Sequence, residues 1–274
     1  MKADLHSHSH FSDGKFSPST LVQMAKDAKL DYFALSDHDT FRGVEEAVKK
    51  GEELAITVIP AIELSCYFNS DVHILGYGID YKSDSFDGIL QQVQQKRVER
   101  NFIILDKLKE FGIEIGMDEL IAYGEGRVYG RTQIGELMVK HGYVNSVKEA
   151  FDDFLSSNGK AYINAFRLTP KEAIELILSE GGTPILAHPN QLRLSRAEVF
   201  DFINELKSFG LVGIESYYYT HTDADVEFYE NVANNLKLIN TAGSDFHGSN
   251  RSNVLGKVPR EMTQKAIDRL IRGV

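Results

Sequence analysis

Apolar positions along the first eighty residues alternate between two spacings. Short β-type runs at 3–6, 32–36, 57–64 and 72–76 predict strands. Helical spacing follows the first two runs. Leu21, Met24, Ala25 and Ala28 form a stripe after Ser17-Pro18, which supplies an N-cap and a first helical residue. Val44, Ala47 and Val48 follow Thr40, the expected cap of the next helix. From about 85 to 158 the period is helical throughout. Phe86, Ile89, Leu90, Val93, Phe102, Leu105 and Leu108 make one long stripe, and shorter helices are predicted at 131–141 and 147–156. With no Pro/Ser-rich composition, this stretch reads as a helical insert and not a linker. Alternation then resumes. Helices are predicted from Thr169-Pro170 to Glu180 and at 196–209, 223–236 and 263–271, with strands at 183–187, 212–215 and 238–242. The expectation is an α/β fold with a parallel sheet, open or closed into a barrel, built from 1–84 and 159–274 around an insert of 85–158.

Composition adds exclusions. At 274 residues, 42% hydrophobic and 26% charged, the chain can bury a substantial core. Its formal charge of −10, from 30 basic and 40 acidic residues, argues against wrapping a long nucleic acid. A small anionic substrate stays open, because acids beside bound cations reverse the local field. The lone cysteine, Cys66, excludes a disulfide framework and an all-thiolate zinc site. No apolar run is long enough to cross a bilayer, and Met1-Lys2-Ala3-Asp4 lacks a signal-peptide core. A cytoplasmic protein without membrane attachment is expected, and no obligate protein partner is readable.

The histidines and acids change the picture most, because nearly all fall where a predicted strand ends. In parallel α/β folds that edge gathers loops from distant parts of the chain. His6 and His8 are two apart in a strand and point the same way, with Asp13 on the next turn able to close a metal site. His38 lies between Asp37 and Asp39, which read as outer partners or as acids at a helix start. Glu63 sits late in an apolar strand, where a carboxylate is costly unless paired or metal-bound. His73, His188 and the Asp245-x-His247 pair complete the set. Each has a bland alternative as a solvated or salt-bridged side chain; six such coincidences at equivalent positions are harder to accept.

The series HxH…SDG, DHD, strand Glu, strand His, AHP and GSDFHG resembles the PHP (polymerase and histidinol phosphatase) superfamily over essentially the whole chain. The resemblance is nearest to its TrpH-like phosphoesterase and 5′-nuclease branch. That likeness includes Gly130-Arg131-Thr132-Gln133, Gly159-Lys160-Ala161-Tyr162 and the GIE…THT stretch of 213–222. It implies a distorted seven-stranded (β/α) PHP barrel with a helical insert domain, and a centre of two or three divalent ions (manganese, iron or zinc). The implied ligands are His6, His8, Asp13, His38, Glu63 as bridge, His73, His188, Asp245 and His247. His10 and His141 match no family ligand and are expected to face solvent. Thr132-Gln133 and Asn190-Gln191 depart from the family's usual Pro-His and Gly-Arg.

The expected activity is phosphate-ester hydrolysis by metal-activated hydroxide. Arg131, Lys160 and His221 are the candidate phosphate contacts, and Tyr217–Tyr219 offers rings for stacking a base. A nucleoside 3′,5′-bisphosphate or a short 5′-phosphorylated RNA, cleaved 5′ to 3′, is the favoured substrate. A small-metabolite phosphatase of the histidinol-phosphate kind and a non-catalytic PHP accessory module are the alternatives.

Overall fold

The computed structural model describes residues 1–68, 70–124, 129–163, 167–248 and 253–272. By contacts the chain forms two compact units, one of Met1–Asp87 with Leu168–Val274 and one of Gly88–Arg167.

The first unit carries a seven-stranded sheet in which spatial order follows chain order. The strands are β1 (Ala3–Asp4), β2 (Tyr32–Leu35), β3 (Thr57–Phe68), β4 (Ser70–Tyr77), β5 (Thr183–Leu186), β6 (Gly213–Tyr218) and β7 (Ile239–Gly243). The last strand returns to the first: Leu5 N–H donates to the Ala242 carbonyl at 2.9 Å, and His8 N–H to that of Phe246 at 2.9 Å. The sheet is therefore a nearly closed barrel. Helices α1 (Pro18–Asp27) and α2 (Val44–Leu54) make the first crossovers, and α7 (Pro170–Ser179), α8 (Arg196–Ser208), α9 (Asp223–Leu236) and α10 (Gln264–Arg272) belong to the second half.

Two expectations are corrected. The sheet is not wholly parallel, because β4 runs antiparallel to both β3 and β5. β3 ends at Phe68 and β4 begins at Ser70, too close in sequence for the crossover that a parallel pair needs. Thr40 does not cap α2 either. Its hydroxyl accepts from Arg42 N–H at 3.2 Å in a local turn, and the helix begins after Gly43. Ser17 does cap α1, accepting from Thr20 N–H at 3.2 Å. The barrel interior is closed by Leu5, Ala34, Ile59, Leu75, Ile185 and neighbours. Phe33, Leu35 and the buried faces of α1 and α2 form a second cluster.

The second unit is helical, with α3 (Asp84–Lys109) entering it, then α4 (Met117–Gly124), α5 (Arg131–Lys140), α6 (Val147–Ala150) and a π-helical turn over Phe151–Leu155. Ile104, Leu105, Leu108, Ile134, Leu137 and Met138 form its core. Among the described residues, no helix is long and apolar enough to cross a membrane.

Candidate metal centre

The nine candidate ligands meet at one rim of the barrel. Parallel strands reach it with their C-terminal ends, and antiparallel β4 reaches it with its start, which places His73 opposite Ser65. Glu63 organises the group. It is 1% exposed, and its two oxygens face different partners. Oε2 lies 3.2 Å from His6 Nε2, 3.2 Å from His8 Nε2 and 3.0 Å from His38 Nδ1. Oε1 lies 2.7 Å from His73 Nδ1 and 3.0 Å from His188 Nε2. Asp13 Oδ1 is 2.9 Å from His247 Nε2. Asp245 Oδ1 is 3.3 Å from His8 Nε2 and 3.6 Å from His6 Nε2. Ligand-type atoms thus gather in three overlapping groups: His8, Asp13, His38 and His247; His6, His8 and Glu63; and His38, Glu63 and His73.

Holding these groups costs backbone strain. Asp39, His188 and Asp245 have φ of 51°, 25° and 51°, a region that residues other than glycine rarely occupy. Buried carboxylates offset it. Asp37 accepts from Ser9 N–H at 2.7 Å, Ser9 Oγ at 2.6 Å and Ser12 Oγ at 2.6 Å, pinning the loop after His8. Asp4 does the same for the Asp245 loop, accepting from Ser244 N–H at 2.9 Å and Ser244 Oγ at 2.6 Å. Asp39 accepts from Ser65 N–H at 2.9 Å. Tyr218 donates to Asp245 Oδ2 at 2.9 Å and accepts from Gln191 Nε2 at 2.9 Å. His247 Nδ1 donates to the Asp245 carbonyl at 2.8 Å, which leaves Nε2 as the lone-pair nitrogen. Neither Asp4 nor Glu215 is among the residues singled out from the sequence, and Tyr218 is singled out there only as a ring for stacking a base. For Glu215 the available signal was the one used for Glu63, a carboxylate inside an apolar strand.

The electrostatics show a site built for cations. Burial works to raise Glu63, but His38, His73 and His6 hold its carboxyl well below the usual range. Burial likewise opposes ionised Asp13, and His247 and His38 overcome it. Burial acts to lower His8, yet Asp245 and Glu63 push it up to about 9. His38, by contrast, is driven down to about 3 by burial. Among the described residues, His6 Nε2, His8 Nε2, His38 Nδ1 and Glu63 Oε2 are buried without a hydrogen bond. Buried polar atoms are rarely left so. Imidazole and carboxylate donors around ionised acids fit divalent metal ions.

The other candidates fall elsewhere. His221 is buried, with Nδ1 2.9 Å from the Ser216 carbonyl. That contact requires Nδ1–H, so Nε2 is an acceptor, and burial lowers the ring's tendency to protonate. A neutral acceptor does not suit a phosphate oxygen. Tyr217 and Tyr218 are buried, their hydroxyls on Glu230 and Asp245, so these two rings are not open to a base. His141 is exposed and pairs with Glu119 at 2.7 Å, while His10 is half-buried against Phe11. In the helical unit, Arg131 donates to the Leu155 carbonyl at 3.2 Å and lies over the Phe151 and Tyr162 rings. Lys160 is exposed above Phe154 and Phe111. Gln133 is buried and accepts from Gly130 N–H at 2.8 Å, closing the start of α5. Asn190 donates to Thr220 Oγ1 at 2.9 Å.

Known proteins are similar to this chain in sequence and in fold. The chain is 32% identical over 247 residues to the 5′-3′ exoribonuclease of Haemophilus influenzae, covering 90% of each. It is 28% identical over 269 residues to the phosphoribosyl 1,2-cyclic phosphate 1,2-diphosphodiesterase of Eggerthella lenta, covering 94% of this chain and 97% of that one. With the 3′,5′-nucleoside bisphosphate phosphatase of Chromobacterium violaceum it shares 27% over 246 residues, covering 89% and 86%. A crystal structure from Bifidobacterium adolescentis, assigned as a metal-dependent phosphoesterase, aligns at a TM-score of 0.86 and 28% identity, covering 99% and 96%. The family model for the PHP domain matches residues 4–272. This chain belongs to the PHP-domain family and is a metal-dependent hydrolase of phosphate esters.

Proposed function

We propose that the Glu63-centred cluster holds two or three divalent ions (manganese, iron or zinc) and hydrolyses phosphate esters of nucleotides or short 5′-phosphorylated RNA. The observation that carries the reading is the division of labour at Glu63, whose Oε2 faces one set of histidines and Oε1 another. Glu63 would serve as the carboxylate shared between ions, and His6, His8, Asp13, His38, His73, His188, Asp245 and His247 would be the remaining ligands. When bound, such ions supply Lewis acidity toward phosphoryl oxygens and an activated water.

The chain's own residues do the rest. Asp37 and Asp4 hold the two ligand-bearing loops in place. Arg131 and Lys160 are the proposed phosphate contacts, because a guanidinium meets phosphate bidentately and an ammonium meets it as a point charge. For His221 an acceptor role toward a substrate hydroxyl fits its tautomer better than a phosphate contact.

The nucleotide reading draws support from relatives named for an RNA and a nucleoside bisphosphate. A panel of a nucleoside 3′,5′-bisphosphate, 5′-phosphorylated RNA, a phosphoribosyl cyclic phosphate, histidinol phosphate and an aryl phosphate discriminates. Turnover of either of the first two well above the others is expected. Preference for histidinol phosphate would replace this reading with that of a small-metabolite phosphatase, and inactivity with every metal would favour an accessory module.

A further inference from the structure

Glu215, on β6, is fully buried and touches two of the proposed ligand residues by different means. Its Oε1 lies 3.0 Å from His6 Nδ1, and its Oε2 accepts from the His188 backbone N–H at 2.8 Å. His188 is the residue with φ of 25°, so this bond pins a strained backbone at the point where the ring must reach Glu63. The space around the pair is fully used. A Cβ on Gly243 would lie 2.0 Å from Glu215 Oε1 and 2.4 Å from His6 Cβ, so only glycine fits on β7 there.

We infer that Glu215 is a positioning residue for the metal centre, fixing the His6 tautomer and the His188 backbone together. The assignment rests on the metal-centre reading above. Both of Glu215's partners are donors, and a carboxylate is an acceptor at both oxygens. With Nδ1–H committed to Glu215, His6 presents the Nε2 lone pair toward Glu63, 3.2 Å away. Glutamine, of nearly the same size, has one acceptor only. The His188 N–H cannot change its role, so the amide oxygen goes there and the amide NH2 faces His6 Nδ1. The His6 proton then moves to Nε2, and the lone pair that would bind metal is lost. Of the three groups of ligand-type atoms, only the one containing His6 is touched by this change.

The test uses the full-length, zinc-loaded protein, with bound zinc counted after a graded chelator challenge. Glu215→Gln is expected to lose one ion of the set roughly 10–100-fold more readily than wild type, as outer partners of metal-bound histidines do. The others should be retained. Unchanged retention in Glu215→Gln, alongside loss in His8→Ala, would overturn the assignment of Glu215 alone. Unchanged retention in His8→Ala as well would overturn the metal-centre reading beneath it. A second measurement needs no variant: long-range ¹⁵N–¹H NMR of zinc-loaded wild type should find the His6 proton on Nδ1, and finding it on Nε2 would refute the proposal.

Discussion

The two compact units are stabilised in different ways. Residues 88–167 hold 11 of the 30 basic and 11 of the 40 acidic residues, leaving 19 and 29 for the barrel unit, which therefore carries the whole charge of −10. The barrel unit buries Asp4, Asp37, Glu63, Glu215 and Asp245 at or behind one rim, together with several histidines. In the helical unit, the buried polar residues among those described are Arg100, Asn101 and Gln133, set beside an otherwise apolar core. Apolar packing stabilises a fold unconditionally, whereas buried acids need counter-charge. The barrel unit is thus coupled to its cations, and the helical unit to its packing.

The largest expected effect breaks the first half of that comparison. Glu63→Gln removes the charge that five histidines face and should lower phosphate release by more than the roughly 100-fold seen for outer-partner losses. Steady-state kinetics in saturating metal would check this. Stripping the metal should speed hydrogen exchange along β3 and β5 while leaving α5 unchanged; equal acceleration in both units would dissolve the distinction.

Next, Leu137→Ala opens a cavity in the fully buried helical core and should cost about 3 kcal/mol in denaturant melts, while metal retention stays intact. Asp37→Asn replaces an acceptor-only group that serves three donor contacts. It should cost about 2 kcal/mol in a urea titration of the metal-free protein. Arg131→Lys keeps the charge and loses the fork, so turnover should fall about 10-fold with little change in melting temperature. A matching loss of stability would make Arg131 structural, through its Leu155 contact. Smallest, Ser17→Ala should cost about 1 kcal/mol through the lost cap of α1.

How far the sequence could be read depends on how local each signal is. His6 and His8 declare themselves by a spacing of two, and Ser17-Pro18 declares its helix start by residue type. The direction of β4 was also within reach, since too few residues separate its run from that of β3 to hold a crossover helix. The pairing of Glu215 with His6, or of Asp4 with Ser244, spans more than two hundred residues and depends on barrel closure. No local pattern announces it. Tyr218 reads as one of a run of tyrosines able to stack a base, and only the folded chain turns its hydroxyl onto Asp245.

The most direct test of the central claim is phosphate release from a nucleoside 3′,5′-bisphosphate by chelator-stripped protein, measured before and after adding manganese, with Glu63→Gln alongside. Release that appears only with metal, and is absent from Glu63→Gln, is the predicted result. Equal release without metal, or from Glu63→Gln at the wild-type rate, would contradict a metal-dependent phosphoesterase organised around Glu63.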